Sequence, residues 1–220
     1  MIDNHPEYIV IEGPIGVGKT SLARRLSETF GSELLLEGAD QNPFLERFYT
    51  DPRNTALQTQ LFFLLQRAQQ MQDLRQGDIF SPVRVADFLL EKDRLFAQLT
   101  LDQDELRLYE QVYQHLTLDA PRPDLVIYLQ APVAVLEERI RQRGIPAEQR
   151  ITRDYLQGVV DAYARLFHYY SVAPLLIVNA AEIDPLANDA DFNALLDRVR
   201  SIKSGRHYFN PLPSLLSGAE

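Results

Sequence analysis

The sequence contains no cysteine, which excludes disulfide bonds, thiolate metal sites and a cysteine nucleophile. It also lacks any apolar run that approaches the length of a membrane-spanning helix. Residues 1–7 form a short, polar, acidic stretch that is unlike a secretory signal peptide. These absences predict a soluble protein of the cytoplasm with no membrane partner.

Positive charge is also scarce, since the formal net charge is −9. A chain this acidic is not expected to bind nucleic acid generally, so a basic cluster in it indicates a local site. Its 220 residues, 45% of them hydrophobic, are sufficient for one domain with a substantial core. We assign this domain to residues 1–205 and predict an irregular tail over residues 206–220.

A glycine-rich segment with the spacing Gly-x4-Gly-Lys-Thr follows an apolar run and precedes an amphipathic helical pattern. This arrangement predicts a phosphate-binding P-loop, in which glycines let backbone N–H groups surround an anion at a helix N-terminus. Lys19 would reach the terminal phosphates of ATP, and the Thr20 hydroxyl would bind Mg²⁺. The alternative is a glycine-rich turn with a chance lysine. The predicted nucleotide-binding residues are Gly13, Pro14, Ile15, Gly16, Val17, Gly18, Lys19 and Thr20.

Five short apolar runs alternate with helical patterns along the chain. This alternation predicts an α/β fold with a five-stranded parallel sheet and helices on both faces. Ligands of such folds bind at the carboxyl ends of the strands. The P-loop, Glu37 and Asp87 are all expected at that edge.

Glu37 and Asp87 end the second and third predicted strands. Beside a bound triphosphate, one carboxylate can accept the proton of an attacking hydroxyl and one can help to bind Mg²⁺. We therefore predict both residues to be catalytic, and Asp87 to be a metal ligand together with Thr20. The alternative is a pair of strand-end caps or surface acids.

Five arginines lie between residues 139 and 153, where Glu148 is the only acid. Phosphoryl transfer needs cations over the transferring group, and a mobile segment often supplies them. We predict an arginine-bearing lid over about residues 139–153, with Arg139 and Arg143 catalytic and Arg141 on the surface. A solvated basic helix face is the alternative.

Gln60, Arg67 and Asp93 are candidates for a set that recognises a base edge. Gln60 and Arg67 share one face of a long predicted helix, and a buried Arg–Asp pair often marks a site. Spacing alone favours the simpler interpretation, because polar residues on a long helix are usually solvated.

From about Tyr8 to Asp184 the ordered set of residues resembles the deoxynucleoside kinase family. The resemblance implies that Glu37 is the catalytic base, that Gln60 pairs with the base of the substrate, and that Arg67 and Asp93 lie over it. It also implies that Tyr49 and Glu148 contact the sugar 3′-hydroxyl. The family is commonly dimeric, which implies a homodimer formed through the helices predicted at 55–75 and 102–116.

The chain departs from the family pattern at three positions. Phe88 stands where the family has an arginine after the third strand, Ile145 replaces a third lid arginine, and Gly38 replaces a proline. Because phosphoryl transfer still requires positive charge, a substitute for the arginine is expected. Lys92 is the candidate, with Arg84 as its competitor.

These observations predict ATP-dependent phosphorylation of a deoxynucleoside 5′-hydroxyl, with a preference for purines. A nucleoside monophosphate kinase is the alternative within the same class of enzyme. It would need a basic pocket for the acceptor phosphate, whereas the middle of the helix that carries Gln60 offers only Arg67 among glutamines. A nucleotide-binding switch protein is the alternative outside that class, but the fourth strand ends in Leu129-Gln130, without the acid such proteins use.

Overall fold

The computed structural model describes residues 6–76, 83–116 and 120–210. Its centre is a parallel sheet of six strands in the order β2-β3-β1-β4-β5-β6. The predicted fold class is confirmed, although the sheet has six strands rather than five. The strands are β1 Tyr8–Glu12, β2 Glu33–Leu35, β3 Arg84–Ala86, β4 Leu125–Gln130, β5 Leu175–Asn179 and β6 Arg206–Phe209.

Eight helices are present in the described part of the chain, and short 3₁₀ turns lie at Ala39–Gln41 and Glu148–Arg150. None of the helices described is long and apolar enough to cross a membrane. The helices are α1 Lys19–Phe30, α2 Leu45–Phe48, α3 Pro52–Gln76, α4 Lys92–Thr100, α5 Gln103–Leu116, α6 Val133–Arg143, α7 Arg153–Tyr169 and α8 Asp189–Ser201.

The sixth strand corrects the prediction that the chain is irregular from residue 206 onwards. β6 pairs in parallel with β5, with Leu175 opposite Arg206. The Arg206 guanidinium donates to the carbonyl oxygens of Phe167 and Tyr170 at 2.8 and 3.3 Å, which ties the strand to the end of α7. β6 pairs on one side only and its residues are exposed or half-buried, so it lacks the apolar run that marks the inner strands. The rest of the predicted tail, 211–220, lies outside the described residues.

The two faces of the sheet are covered by different helices. Ile9 and Ile11 of β1 pack in a cluster with α1, α6 and α8, whereas Val10 packs in a cluster with α4 and α7. All five residues of β1 are buried, as expected of a central strand covered on both faces. A smaller cluster, built around Leu64, Ala97 and Tyr109, joins α3, α4 and α5 beside the sheet. This packing brings the carboxyl ends of β1, β2 and β3 together beneath α3 and α4.

Candidate active site

A cavity of about 340 Å³ opens at the carboxyl ends of β1, β2 and β3. Most of the residues predicted from the sequence line its wall, although they come from distant parts of the chain. The predicted residues in this wall are Gly13, Ile15, Gly16, Lys19, Thr20, Glu37, Tyr49, Gln60, Arg67, Asp87, Asp93, Arg143 and Glu148. The remaining four, Pro14, Val17, Gly18 and Arg139, are not part of the wall.

The glycine-rich loop adopts the curled backbone that the P-loop prediction requires. Gly16 has φ 83°, and a Cβ there would lie 2.8 Å from Ile140 Cγ1, so only glycine fits without strain. The loop leads directly into α1 at Lys19. The Lys19 ammonium donates to the carbonyl oxygens of Gly13 and Pro14 at 2.7 and 3.1 Å. Burial, followed by the charge of nearby Lys92, lowers the pKa of the Lys19 ammonium.

Asp87 connects the P-loop with the segment that carries Glu37. Its Oδ2 accepts a hydrogen bond from the Thr20 hydroxyl at 2.5 Å, and its Oδ1 accepts one from the backbone N–H of Glu37 at 2.8 Å. Asp87 is buried at the carboxyl end of β3. A carboxylate and a hydroxyl side by side next to a phosphate-binding loop are suitable ligands for Mg²⁺, which prefers oxygen and is often bound together with substrate phosphates.

Glu37 lies two residues beyond the end of β2 and projects into the cavity. Its Oε2 accepts from the Lys92 ammonium at 2.9 Å, and its Oε1 forms an ion pair with the Arg67 guanidinium. Burial alone would raise the pKa of this carboxyl, but Lys92, Arg67 and Lys19 outweigh burial and lower the pKa to about 2. Glu37 is therefore a carboxylate at neutral pH.

Gln60, Arg67 and Asp93 are buried, which overturns the simpler interpretation that they are solvated. The Arg67 guanidinium forms an ion pair with Asp93 as well as with Glu37. Two atoms of this set, Arg67 Nε and Asp93 Oδ2, are buried without a hydrogen-bond partner. Unpaired buried polar atoms are costly, so an unpaired donor and an unpaired acceptor on two residues that line one cavity favour a polar ligand at this position.

The lid arginines take different positions. Arg143 forms an ion pair with Glu148 at 2.5 Å, and both line the cavity near Tyr49. Burial and the neighbouring Glu148 carboxylate raise the pKa of the Tyr49 hydroxyl, which stays protonated and able to donate. Arg139 points elsewhere, donating to the carbonyl oxygens of Val17 at 3.2 Å and Ala180 at 2.7 Å. In this structure Arg139 therefore supports the P-loop from behind rather than facing the cavity.

Lys92 and Arg84 are the two predicted substitutes for the arginine that the family has at the position of Phe88. Phe88 is fully buried. The Lys92 side chain is 2% exposed and lines the cavity. Arg84 is not part of the cavity wall and contacts Glu33, with 3.4 Å between Nε and Oε2.

Glu12 is a site residue that sequence reasoning missed. It is fully buried at the carboxyl end of β1, and its Oε1 lies 3.4 Å from the Lys92 ammonium. A signal was available, because Glu12 is a carboxylate in an otherwise apolar strand, immediately before the first glycine of the loop. Buried carboxylates are rare unless paired, so a glutamate at the end of an apolar strand indicates a buried cationic partner.

Known proteins resemble this chain in both sequence and fold. The sequence model of the deoxynucleoside kinase family matches residues 9–203, which is most of the chain. The chain belongs to this family. The kinase is 34% identical over 208 residues to a deoxyguanosine kinase of Bacillus subtilis, covering 90% of this chain and 99% of that protein. It is 30% identical over 196 residues to a deoxyadenosine kinase of Lactobacillus acidophilus, covering 83% and 89%.

Solved structures confirm the fold of the kinase. A deoxyadenosine kinase from M. mycoides with bound dATP superimposes with a TM-score of 0.77 at 24% identity, covering 89% of this chain and all of that chain. The family match decides between the functions considered from the sequence. The protein is an enzyme, a deoxynucleoside kinase, rather than a nucleoside monophosphate kinase or a switch protein.

Proposed function

We propose that this kinase transfers the γ-phosphoryl group of ATP, with Mg²⁺, to the 5′-hydroxyl of a purine deoxynucleoside. The observation that carries the proposal is the buried Arg67–Asp93 pair, which lines the same cavity as Lys19 and Glu37 and retains hydrogen-bonding groups without a protein partner. A site for a base and a site for a triphosphate thus share one cavity. We also expect the enzyme to act in the cytoplasm, which cell fractionation would test.

The phosphate donor would be held by the P-loop. Backbone N–H groups of the loop and the N-terminus of α1 face the phosphates, and Lys19 contributes a positive charge. Thr20 and Asp87 supply oxygen ligands for Mg²⁺, which neutralises phosphate charge when bound. Arg143 of the lid reaches the same cavity and adds positive charge above the transferring group.

The acceptor would be activated by Glu37. Its carboxylate takes the proton of the 5′-hydroxyl, the oxygen attacks the γ-phosphorus in line, and the bond to the leaving oxygen breaks. Tyr49 and Glu148 are proposed to contact the 3′-hydroxyl. For Arg139, predicted from the sequence to be catalytic, we propose a positioning role, because its guanidinium donates to the carbonyl oxygens of Val17 and Ala180 and thereby holds the loop.

The preference for one base over another would follow from hydrogen bonds between donors and acceptors of the protein and complementary groups on the edge of the base. Arg67 Nε offers a donor and Asp93 Oδ2 offers an acceptor, with the Gln60 amide on the same cavity wall. Adenine presents a complementary acceptor and amino group at N7 and N6, whereas thymine offers only the O4 acceptor on the corresponding edge. The names of the deoxyguanosine and deoxyadenosine kinases among the relatives support a purine preference.

The direct test is a panel of the four deoxynucleosides with ATP and Mg²⁺, with dAMP as a competing acceptor and a reaction without acceptor. We expect 5′-monophosphates to form, fastest from a purine deoxynucleoside, with little ATP hydrolysis when no acceptor is present. A faster reaction with dAMP than with deoxyadenosine would contradict the acceptor assignment. A fastest reaction with thymidine would contradict the purine preference alone.

Replacing Arg67 and Asp93 together with apolar residues, as in Arg67→Met with Asp93→Leu, should shift preference toward thymidine. Each lost hydrogen-bonding match is expected to cost about 1–3 kcal/mol of discrimination, so the kcat/KM ratio of deoxyadenosine to thymidine should fall at least about tenfold. The ratio is the right readout because Arg67 also contacts Glu37, and a general loss of rate cancels in it.

A matched control for this double variant is Arg107→Met with Asp104→Leu, which removes an exposed ion pair on α5. This control should leave the ratio unchanged. An unchanged ratio in the Arg67 and Asp93 variant, with the protein still folded, would show that the buried pair is structural.

We further propose a homodimer formed through α3 and α5. Leu65 of α3 and Leu108 of α5 are exposed, although both helices contribute apolar residues to one shared cluster. Large apolar side chains on adjacent helices are typical of a protein interface. The double variant Leu65→Glu with Leu108→Glu should sediment as a monomer, whereas Tyr208→Glu, which changes an exposed residue of β6, should not alter the assembly. A monomeric wild type would refute this proposal.

A further inference from the structure

The position directly after Asp87, next to the proposed acceptor site, carries no cation. Phe88, which directly follows Asp87, is fully buried in an apolar cluster and cannot carry charge. Two cations of the cavity wall are engaged with carboxylates of their own, since Arg67 pairs with Asp93 and Arg143 with Glu148. A further cation close to the acceptor oxygen would add to the stabilisation that Lys19 and Arg143 are proposed to give the transferring phosphoryl group.

Lys92 occupies an environment that disfavours a positive charge. It is the first residue of α4, where the helix dipole repels cations, and its side chain is 2% exposed. Its ammonium lies close enough to Lys19 to contribute to the lowered pKa of that residue. A buried ammonium costs several kcal/mol without good partners, so this position is not explained by folding stability alone.

Two carboxylates compensate for this cost, and they differ in how firmly they are held. Glu37 Oε2 lies 2.9 Å from the Lys92 ammonium, and Glu12 Oε1 lies 3.4 Å from it. Glu12 accepts hydrogen bonds from the backbone N–H groups of Gly13 and Leu89 at 2.9 and 2.7 Å.

The Tyr163 hydroxyl also donates to Glu12, at 2.8 Å. Three donors from three segments of the chain therefore fix the Glu12 carboxylate, whereas the Glu37 side chain is 21% exposed. Glu12 is the firmly held partner of Lys92, and Glu37 is the partner that takes up the hydroxyl proton in the proposed reaction. When Glu37 has accepted the hydroxyl proton, Lys92 retains its pair with Glu12 and its charge faces the phosphoryl group.

We propose that Lys92 is a catalytic residue whose ammonium stabilises the acceptor oxygen and the transferring phosphoryl group, and that Glu12 is a positioning residue that holds it there. The inference rests on the proposed function. No proton moves to or from Lys92. The hydroxyl proton passes to Glu37, the new O–P bond forms, and the electron pair of the broken bond leaves with the diphosphate. The ammonium acts by charge alone.

The test begins with Lys92→Met, which keeps the length of the stem and removes the charge. We expect kcat to fall about 10²-fold, the effect of one lost charge-stabilising donor, while KM for the deoxynucleoside changes little. Lys92→Arg, which keeps a cation, should retain more turnover than Lys92→Met. Lys203→Met, which changes an exposed lysine after α8, is the matched control and should leave kcat unchanged.

Rescue provides a second measurement. Phe88→Arg in the Lys92→Met background returns a cation to the position of the family arginine and should recover part of the lost kcat. A merely structural role of Lys92 predicts no recovery, because a charged residue in place of a buried phenylalanine only weakens packing.

A double-mutant cycle tests Glu12. Glu12→Gln should lower kcat by mispositioning Lys92, yet it should cause little further loss in the Lys92→Met background, because residues that act as a unit are non-additive. The double variant also removes both members of the pair, so no unpaired charge remains buried and the protein should fold. Circular dichroism and thermal unfolding monitor every variant.

The outcomes separate this inference from the proposed function. A wild type that phosphorylates no deoxynucleoside refutes the proposed function and, with it, any role of Lys92 in that reaction. A wild type that is active while Lys92→Met, or its double variant with Glu12→Gln, turns over at a similar rate overturns the inference alone. Additive losses from Glu12→Gln and Lys92→Met would overturn the positioning role of Glu12.

Discussion

Lys19→Ala should lower phosphoryl transfer by about 10³-fold or more while leaving the fold intact. Electrostatic stabilisation carries most of the catalysis of phosphoryl transfer, and a single donor in such a site accounts for about 10²–10³ in kcat. Lys19 is the proposed cation of the P-loop, and its ammonium donates to the loop carbonyl oxygens of Gly13 and Pro14. The substitution therefore removes the positive charge that would stabilise the donor phosphates. It also removes the hydrogen bonds from Lys19 to the loop carbonyl oxygens.

The measurement is turnover with saturating ATP and deoxynucleoside, together with thermal unfolding. Alanine is compatible with the first turn of α1, so a loss of activity should not reflect a lost helix. Lys203→Ala, an exposed change after α8, is the control for removing a lysine. A folded Lys19→Ala enzyme with near-normal turnover would refute the assignment of the glycine-rich segment as the catalytic P-loop.

Glu37→Gln should lower kcat by about 10²-fold or more, the scale of a lost general base. Glutamine has the same shape but cannot accept the hydroxyl proton, so affinity for the deoxynucleoside should change little. Glu33→Gln, in β2 of the same segment, is the matched control because Glu33 lies outside the cavity wall. If turnover survives in Glu37→Gln, the base lies elsewhere, and Asp87 is the next candidate.

The pH dependence of the wild type gives an independent check. A base is active when deprotonated, and Lys92, Arg67 and Lys19 overcome the effect of burial and lower the pKa of Glu37 to about 2. An unperturbed glutamate has a pKa of about 4.3. Activity that depends on the Glu37 carboxylate should therefore persist below this pH, and it should be lost only as the pH falls through the lowered pKa of Glu37 in the folded protein. An acid limb from Glu37 at near-neutral pH would contradict the charge arrangement described here.

Such a low pKa is unusual for a general base, whose ideal pKa lies near the working pH. The loose transition state of phosphoryl transfer reduces this demand, because bond formation to the acceptor has advanced little when charge is greatest on the phosphoryl oxygens. Orientation of the hydroxyl and nearby positive charge then matter more than basicity. Glu37, held between Arg67 and Lys92, meets both requirements.

The P-loop motif, the α/β fold and the reaction class could be predicted from the sequence alone. Each depends on a local pattern: the glycine spacing that ends at Thr20, the alternation of short apolar runs with helices, and carboxylates at strand ends. Such patterns span a few residues, and secondary structure follows from them directly. The rule that ligands bind at the carboxyl ends of parallel strands then placed Glu37 and Asp87 beside the loop.

The ion pairs and hydrogen bonds among the buried charged side chains, by contrast, follow from the tertiary structure. Arg67 contacts Glu37 across 30 positions of sequence, Lys92 contacts Glu37 across 55, and Tyr163 reaches Glu12 across 151. No local sequence pattern predicts these contacts, because they depend on the order of the strands in the sheet and on which face of the sheet each helix covers. The strand β6 was missed for a related reason, since an edge strand is stabilised by backbone pairing with its neighbour and not by an apolar run of its own.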